Sequence, residues 1–498
     1  MSGVAKVFAV QGWMYLRFRG DSDELGPPHF FVSPAEMKYL SLGDTDEIAA
    51  SCHHLEIAGT GIVLDAGMDP NRDGAASLPP FHLLQDRPVD HVVITHAHHD
   101  HMGSLPVLMN RVAHARVHMS KPTLLLADVL LPSSARLQRR RMREGTTSAE
   151  PVFDVETVEA LSYIYEGHLL DTDLDFSGLK ATSPLTGRFY HAGHVLGAVG
   201  VLLEAEERGT MRRFFYTSDT GISPQAIQPG GDYPEAPIDV LFLETTLGAD
   251  PEAEMTTRKS EEKRFGKALA GVISQGGSVL VPVFALGRSQ EILALIDRFK
   301  RRGIVPSDVP VYTAGQARAL SGIYDSTRFS SPRHDPDFEV FNVEQYRVPN
   351  SRTRLEETLR EPAIYVVASG MMFERTLSNR LAQDLIGHEK NGVFFVGFSK
   401  EDSPGDRLQK AAKKGPGAKV VLDADAGQQP VHANVERFRF SGHAHRRDLI
   451  KLVDRMKPKT IVLVHGETVA KKWMKDNITF FHPEVNVLIP KQGVELEL

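Results

Sequence analysis

The feature that most constrains this chain is a run of histidine and aspartate at residues 96–101, with the sequence HAHHDH. It directly follows a short apolar run that is predicted to form a buried strand. Because alternate side chains of an extended segment share one side, His96 and His98 are expected to face one metal ion. Where the chain then bends into a predicted helix, Asp100 and His101 can turn toward a second ion. Imidazole and carboxylate ligands predict a two-metal centre, with two Zn²⁺ as the preferred ions and Mn²⁺ as the alternative.

Such a centre indicates a hydrolase, because two ions about 3.5 to 4 Å apart clamp a bridging hydroxide and the oxygens of a displacement at phosphorus. Four ligands cannot complete two metal sites, so the remaining ligands must come from elsewhere in the chain. His194, Asp219 and His465 each lie near a glycine after a β-like segment. Taken singly, each of them could equally be an ordinary polar loop residue.

The apolar pattern changes along the chain. Short apolar runs bounded by glycine predict strands in the first 120 residues, and a helical segment is predicted from 121 to about 170. Between about 250 and 435, nearly continuous apolar strands alternate with helices; for example, a strand at 279–284 precedes a helix at 288–300. This alternation predicts a parallel α/β lobe.

Composition narrows the class of protein. The 498 residues, 41% hydrophobic and 24% charged, are enough for two or three lobes. The single cysteine, Cys52, and the lack of a leader-like start predict a cytoplasmic protein. No apolar run is long enough for a membrane span, so no membrane association is expected. The net charge of -7 argues against nonspecific coating of nucleic acid but is compatible with a nuclease. The basic stretch 136–143 is interpreted as a solvated helix face.

Taken in order, the candidate ligands resemble the metallo-β-lactamase fold, with Asp65 in the sequence LDAG ahead of the 96–101 cluster. Further segments resemble the β-CASP branch of that superfamily: LETT at 243–246, PVFALGR at 282–288, SGMM at 369–372, FSGH at 440–443 and VHGE at 464–467. That branch includes the endonuclease subunit of the messenger-RNA 3′-end cleavage machinery and several prokaryotic RNA nucleases. The resemblance runs from about residue 37 to the C terminus.

The resemblance implies an α/β fold in which a metallo-β-lactamase αββα sandwich carries an inserted parallel α/β lobe. The predicted divisions are N-terminal extension strands at 1–36, the first part of the metallo-β-lactamase domain at 37–249, the β-CASP domain at 250–435 and the return of the metallo-β-lactamase domain at 436–498.

The resemblance also implies roles for single residues. It puts His96, His98 and His194 on one zinc, Asp100, His101 and His465 on the other, and Asp219 between them. Asp65 would steady a ligand histidine, a role in which a carboxylate fixes the tautomer and ring angle, although it could instead cap a turn. His443, paired with Glu244, is the expected general acid, and Asp100 is counted with these two among the catalytic residues.

Three positions bear on the substrate. Arg288 opens a predicted helix and Ser369 and Gly370 form a turn after a strand, so these residues are candidates for binding the RNA backbone. The alternatives are a helix-surface arginine and a plain turn. His445 stands where relatives usually carry an acidic residue; it could lower the pKa of His443 or add a phosphate contact.

The predicted function is a zinc-dependent ribonuclease, acting as an endonuclease or a 5′-exonuclease. RNA is preferred over DNA because RNA-processing members of the family resemble this chain in having histidine at the position of His465. A DNA nuclease, a small phosphodiesterase and a catalytically silent subunit of an RNA-processing complex remain alternatives. RNA is the expected substrate, and the sequence leaves open a homodimer or partner subunits of a processing complex.

Overall fold

A computed structural model describes residues 6–10, 13–17, 37–43, 47–207, 209–235 and 237–498. Of the predicted N-terminal extension at 1–36, two strands that pair antiparallel are described, and the rest lies outside the described residues.

The strands, in chain order, are β1 (Lys6–Val10), β2 (Trp13–Arg17), β3 (Lys38–Ser41), β4 (His53–Ile57), β5 (Thr60–Leu64), β6 (His91–Ile94), β7 (Arg116–Ser120), β8 (Tyr165–His168), β9 (Leu174–Asp175), β10 (Leu185–His191), β11 (Val199–Glu207), β12 (Thr210–Tyr216), β13 (Val240–Glu244), β14 (Val279–Pro282), β15 (Val311–Thr313), β16 (Tyr346–Arg347), β17 (Ile364–Val367), β18 (Gly392–Phe395), β19 (Ala418–Val421), β20 (Gln428–Val431), β21 (Asn434–Arg437), β22 (Thr460–Val464), β23 (Asn486–Leu488) and β24 (Glu495–Glu497).

The helices are α1 (His99–Met102), α2 (Leu105–Met109), α3 (Lys121–Arg143), α4 (Val155–Ser162), α5 (Arg258–Ser274), α6 (Arg288–Arg301), α7 (Gln316–Ser326), α8 (Arg352–Thr358), α9 (Leu377–Leu385), α10 (Pro404–Ala412), α11 (Arg446–Met456) and α12 (Thr468–Phe481). Short 3-10 helices cover Gly74–Ser77, Phe81–Leu84, Pro251–Glu254 and Val340–Asn342.

Two seven-stranded sheets pack face to face. One has the order β24-β3-β4-β5-β6-β7-β8 and the other β23-β22-β13-β12-β11-β10-β9. Their facing sides form one buried core in which Leu55 and Val93 meet Val201 and Phe242. The outer face of the second sheet is covered by α11 and α12, which bury Leu449 and other apolar residues against it. Helices on the outer sides of two packed sheets make the αββα sandwich that the sequence predicts.

The inserted lobe is a six-stranded sheet of order β16-β15-β17-β14-β18-β21, in which every pairing is parallel. Helices α9 and α10 cover one face. The other face belongs to a core that also contains Leu126 of α3 and Tyr324 of α7, so the two lobes are packed together. The predicted fold class, a sandwich with an inserted parallel lobe, is therefore confirmed.

The chain leaves the sandwich after β13 and returns to it at the far end of the sequence. There β22 pairs in parallel with β13, and β24 pairs antiparallel with β3. The last segment is thus shared between the two sheets. This return brings residues that follow β22 next to residues that follow β12 and β13.

Some predicted elements differ from the structure. The helical segment predicted from 121 to about 170 ends early, because residues 165–168 form β8 and pair in parallel with β7. The buried Tyr165 begins this edge strand, and the apolar residues before it have the spacing of a helix face. The helix predicted where the chain bends after the histidine cluster is two short helices, α1 and α2. Among the described residues, no helix is both long and apolar enough to cross a membrane.

Candidate metal centre

The candidate ligands all follow strands at one edge of the sandwich. His96 comes two residues after β6, Asp219 three residues after β12 and His465 directly after β22, while His194 follows β10. In the second sheet, β10 and β12 run in the same direction because each is antiparallel to β11, which lies between them. β13 and β22 run in that direction too, since β12 is parallel to β13 and β13 is parallel to β22. Their carboxyl ends therefore lie together, and polar side chains at strand ends form a site there.

Three histidines and one aspartate form the first group. Nδ1 of His98 lies 3.1 Å from Nε2 of His96 and 3.1 Å from Nε2 of His194. Oδ2 of Asp219 lies 3.6 Å from Nε2 of His96 and from Nε2 of His194. His96, His194 and Asp219 are buried. Four ligand atoms thus converge on one point.

The second group consists of Asp100, His101 and His465. Nε2 of His465 lies 3.7 Å from Oδ2 of Asp100. Oδ1 of Asp219 is 3.3 Å from Nε2 of His101 and 2.8 Å from Nδ1 of His465. Since the other oxygen of Asp219 faces the first group, this carboxylate lies between the two groups.

The residues present fit metal ions. Within each group the ligand atoms lie within 4.8 Å of one another. Nε2 of His101 and Nε2 of His465 are buried and have no hydrogen-bond partner among the described residues. Buried polar atoms ordinarily find partners, and nitrogens that converge without them are the donors a transition metal requires. The structure therefore supports metal binding by these histidine and aspartate clusters.

Asp65 holds one of these histidines in place. It is completely buried directly after β5, and its Oδ2 lies 2.8 Å from Nδ1 of His101. The backbone and hydroxyl of Thr95 donate to its Oδ1 at 2.8 Å, and Tyr216 donates to Oδ2 at 2.9 Å. An Nδ1–H that donates to Asp65 leaves Nε2 of His101 free to bind metal. Sequence reasoning did not identify Thr95 or Tyr216, since neither carries a motif of its own.

Burial and charge shift the pKa values of the ligands in opposite directions. Burial lowers the pKa of His96 and of His194 well below the usual value, which keeps their nitrogens available as donors. Burial alone would raise the pKa of Asp219, but His465 and His101 hold it well below its usual value. For His101 burial is outweighed by Asp219 and Asp65, which raise the pKa well above its usual value. Asp219 therefore stays ionised between the two groups.

Glu244 and His443 lie beside this centre. Nδ1 of His443 is 3.2 Å from both carboxylate oxygens of the buried Glu244, which also accept hydrogen bonds from the backbone of Thr220 and Thr246. The His443 ring is 4.5 Å from that of His194, centre to centre. Burial lowers the pKa of His443, but Glu244 and Asp219 outweigh it and raise the pKa to about 9. The imidazole is thus protonated at neutral pH and able to give up a proton.

His445 lies outside this pair. It precedes α11 as the capping residue and lines a cavity of ≈ 270 Å³ that opens beside His443. Arg258, Arg439 and Arg447 also line this cavity. The rise in the pKa of His443 comes from Glu244 and Asp219, so both effects considered for His445 stay predictions.

Arg288 opens α6, as the sequence predicts, but its side chain is buried rather than on the helix surface. Its Nη1 donates to Oε1 of Gln225 at 3.2 Å, and burial lowers its pKa to about 10. Gln225 in turn donates to the carbonyl oxygens of Gly193 and His194 at 2.9 and 2.7 Å. Arg288 therefore adjoins the metal centre through Gln225, a residue that no sequence motif marked.

Ser369 and Gly370 lie in the turn after β17, farther along the edge of the inserted sheet. The Ser369 hydroxyl is buried without a hydrogen-bond partner among the described residues. Gly370 packs against the ring of Phe284. A separate histidine group, His118 and His168 with Glu166, lies on β7 and β8 and takes no part in this centre.

Three family models match the chain in the order of its domains. The metallo-beta-lactamase superfamily model matches residues 46–244, the Beta-Casp domain matches residues 289–408, and the Zn-dependent metallo-hydrolase RNA specificity domain matches residues 428–490. The first covers the candidate ligands from His96 to Asp219, and the third covers His443 and His465.

Several curated proteins are similar over most of the chain. Endoribonuclease ysh-1 of Neurospora crassa is 28% identical over 94% of this chain and 57% of its own length. The RNase J-like protein of Methanocaldococcus jannaschii is 27% identical over 85% of this chain and 91% of its own. Cleavage and polyadenylation specificity factor subunit 3 of Dictyostelium discoideum is 26% identical over 93% and 57%. The chain thus spans little more than half the length of the eukaryotic relatives.

A solved structure of a protein of unknown function from Enterococcus faecalis V583 shares the fold, with a TM-score of 0.51, 13% identity and coverage of 94% of this chain and 100% of the other. The family models agree with the two packed sheets, the inserted parallel lobe and the histidine clusters at the strand ends. By these matches, which follow one another along residues 46–490, the chain belongs to the metallo-β-lactamase superfamily and to its Beta-Casp branch.

Proposed function

We propose that this chain is a zinc-dependent ribonuclease that hydrolyses RNA phosphodiester bonds. The observation that carries the proposal is the pair of ligand groups joined by Asp219, with His443 beside them. The Zn-dependent family description and the relatives named as RNA nucleases support the choice of ion and substrate.

In this proposal, two zinc ions are held by the two ligand groups. His96, His98 and His194 would hold one ion, Asp100, His101 and His465 would hold the other, and Asp219 would contribute to both. Bound zinc would supply Lewis-acid stabilisation of the phosphate and a hydrolytic nucleophile at neutral pH. Asp65 contributes by keeping Nδ1 of His101 protonated, so that Nε2 would be available to bind the ion.

His443 acts as the general acid in the proposed reaction. Glu244 accepts a hydrogen bond from Nδ1–H of His443 and so orients the ring. Nε2 of His443 is then left to donate a proton to the departing oxygen of the RNA. The raised pKa favours the protonated form before the bond breaks. Asp219 and Asp100 add negative charge near His443 and stabilise that form further.

RNA binding along the lobe junction is the second part of the proposal. The residues proposed to contact the RNA backbone are Arg288, Ser369 and Gly370. Arg288 would do so at the edge of the metal centre, where it contacts Gln225. Membership of a processing complex is proposed from the relative named as a subunit of a cleavage and polyadenylation factor, with a homodimer as the alternative. A cytoplasmic location belongs to the same proposal.

The test uses purified protein and end-labelled single-stranded RNA that carries either a 5′-phosphate or a 5′-hydroxyl, with matched DNA of the same sequence. Elemental analysis measures zinc per chain. We expect about two zinc ions, cleavage of RNA in preference to DNA, and loss of cleavage in His443→Ala. Internal or terminal products then assign the endonuclease or the 5′-exonuclease mode.

His388→Ala is the matched control, because His388 is an exposed histidine of the inserted lobe. It should cleave RNA as the wild type does. If zinc-loaded wild type leaves RNA intact, or if His443→Ala cleaves as fast as His388→Ala, the proposal is wrong. Equal cleavage of DNA would replace the RNA assignment with a general nuclease.

A further inference from the structure

Three phenylalanine side chains are exposed at neighbouring strand ends of the inserted lobe. Phe284 follows β14, Phe373 follows β17 and Phe398 follows β18, and β14 lies between the other two strands in the sheet. Their side chains are 36%, 45% and 45% exposed. We name these three residues the phenylalanine patch. Clustered exposed aromatic residues mark binding sites more often than chance, because soluble proteins otherwise bury such side chains.

Two glycines lie close to the ring of Phe284. A Cβ atom at Gly370 or at Gly397 would lie 3.3 Å from ring atoms of Phe284. Gly370 belongs to the turn after β17, and Gly397 belongs to the turn after β18. Glycine at both positions therefore leaves room for the ring, because a side chain at either one would press on its Cδ2 and Cε2 atoms.

The patch adjoins the metal centre through a short series of contacts. The carbonyl of Phe284 accepts a hydrogen bond from the backbone of Ser289 at 3.2 Å. Ser289 follows Arg288, which donates to Gln225, and Gln225 donates to the carbonyl of His194. The backbone of Phe284 is thus linked to the backbone of His194 through Ser289, Arg288 and Gln225.

The charges around the patch are mixed. Phe373 is followed by Glu374 and Arg375, and Phe398 lies close in sequence to Lys400 and Glu401. Such an arrangement gives no strong positive field for phosphates. A ligand held here must therefore be recognised by its flat apolar surfaces rather than by charge.

We propose that the phenylalanine patch stacks the bases of single-stranded RNA next to the metal centre, an inference that rests on the proposed function. Bases have flat faces that stack on aromatic side chains whatever their sequence, whereas bases inside a duplex are not accessible in this way. The patch thus selects an unpaired strand and sets its path across the inserted lobe. Ser369, whose buried hydroxyl lacks a partner among the described residues, lies in the same turn as Gly370 and is suited to a ribose or phosphate contact.

The experiment measures binding separately from cleavage. Fluorescence anisotropy gives the Kd of 5′-labelled oligouridylate for protein carrying His443→Ala, which prevents turnover under the proposed mechanism. Into this background we introduce Phe284→Ala, Phe284→Trp or Phe480→Ala. Phe480 is the matched control because it is 79% exposed on α12, in the sandwich. A second ligand has the same backbone length but abasic ribose in place of uridine.

Phe284→Ala should raise the Kd for oligouridylate by about tenfold, which is the order of change expected when one base loses its aromatic stacking partner. Phe284→Trp should retain wild-type affinity, and Phe480→Ala should change nothing. The abasic ligand should bind weakly and equally to all variants. Phe398→Ala provides a second test at a residue that follows a different strand, β18, and should also weaken binding, while zinc content checks that each variant keeps its centre.

The inference is overturned if Phe284→Ala binds oligouridylate as tightly as Phe480→Ala does. It is also overturned if Phe284→Ala lowers the affinity for the abasic ligand as much as the affinity for oligouridylate. Equal binding of duplex RNA and single-stranded RNA would overturn it as well. Failure of the proposed function is a different result: wild type would bind oligouridylate through Phe284 and still leave it uncleaved. A patch that serves a protein partner would give RNA affinities independent of Phe284 and would also refute the inference.

Discussion

Replacing Asp65 with asparagine should loosen the metal centre with a limited loss of stability. Four donor groups point at its two buried carboxylate oxygens, from the backbone and hydroxyl of Thr95, the hydroxyl of Tyr216 and Nδ1 of His101. Asparagine keeps one acceptor oxygen and puts an NH₂ group in place of the other. If that group faces His101, two donors oppose each other, so His101 shifts to the tautomer with its proton on Nε2.

That tautomer is the wrong one for a metal ligand, because Nε2 of His101 is the atom that faces Asp219. Loss of such a partner commonly costs about 10- to 100-fold in metal affinity, which corresponds to roughly 1.4 to 2.7 kcal/mol. One buried donor left unpaired should lower the free energy of unfolding by about 1 to 3 kcal/mol. The assays are zinc competition with a chromophoric chelator and urea unfolding of the zinc-free protein.

Asp90→Asn is the matched control. Asp90 accepts hydrogen bonds from the backbone of Gly61 and Leu179, and Gly61 lies near the start of β5 whereas Asp65 follows its end. Asp90→Asn should therefore destabilise the fold but leave zinc affinity unchanged. The reasoning is refuted if Asp65→Asn binds zinc within about twofold of wild type, or if Asp90→Asn loses as much zinc affinity as Asp65→Asn.

Three further outcomes are expected. Glu244→Gln removes the negative charge that raises the pKa of His443. Because His443 acts when protonated, the high-pH limb of the rate profile should move to lower pH by about 1 pH unit or more. An unmoved limb in kcat/KM would contradict this. Burial lowers the pKa of His54 to about 4, whereas the value in the unfolded chain is about 6.5. The neutral imidazole therefore stabilises the folded protein fully above pH 6.5, and the free energy of unfolding falls by about 3 kcal/mol as the pH falls to 4. Urea unfolding of His54→Gln should show that much less pH dependence than wild type; equal dependence would refute the argument. Gln225→Leu should lower the free energy of unfolding by about 1 to 3 kcal/mol, since it removes the acceptor from the buried Arg288; an unchanged urea midpoint would count against it.

Elements with strong periodicity were predictable from the sequence. The helix predicted at 288–300 forms as α6, and the strand predicted at 279–284 forms over its first four residues as β14, because each has a regular apolar pattern. β8 was misassigned and α12 was not predicted. β8 is four residues long and depends on pairing with β7, and the apolar face of α12 becomes evident only against the sheet it covers. Local patterns carry no information on such partners.

The sequence by itself indicated the chemistry of the site, because the 96–101 cluster after a strand is a local pattern and the family resemblance assigned the later histidines and aspartates to it. Only the tertiary structure decided which atoms meet: His465 lies 2.8 Å from Asp219 across 246 residues, because β22 pairs with β13 after the inserted lobe. The same packing determined that Asp65 faces His101 and that the side chain of Arg288 is buried. Those contacts depend on how sheets and lobes pack, and side chains distant in sequence meet only once strand pairing has fixed their positions.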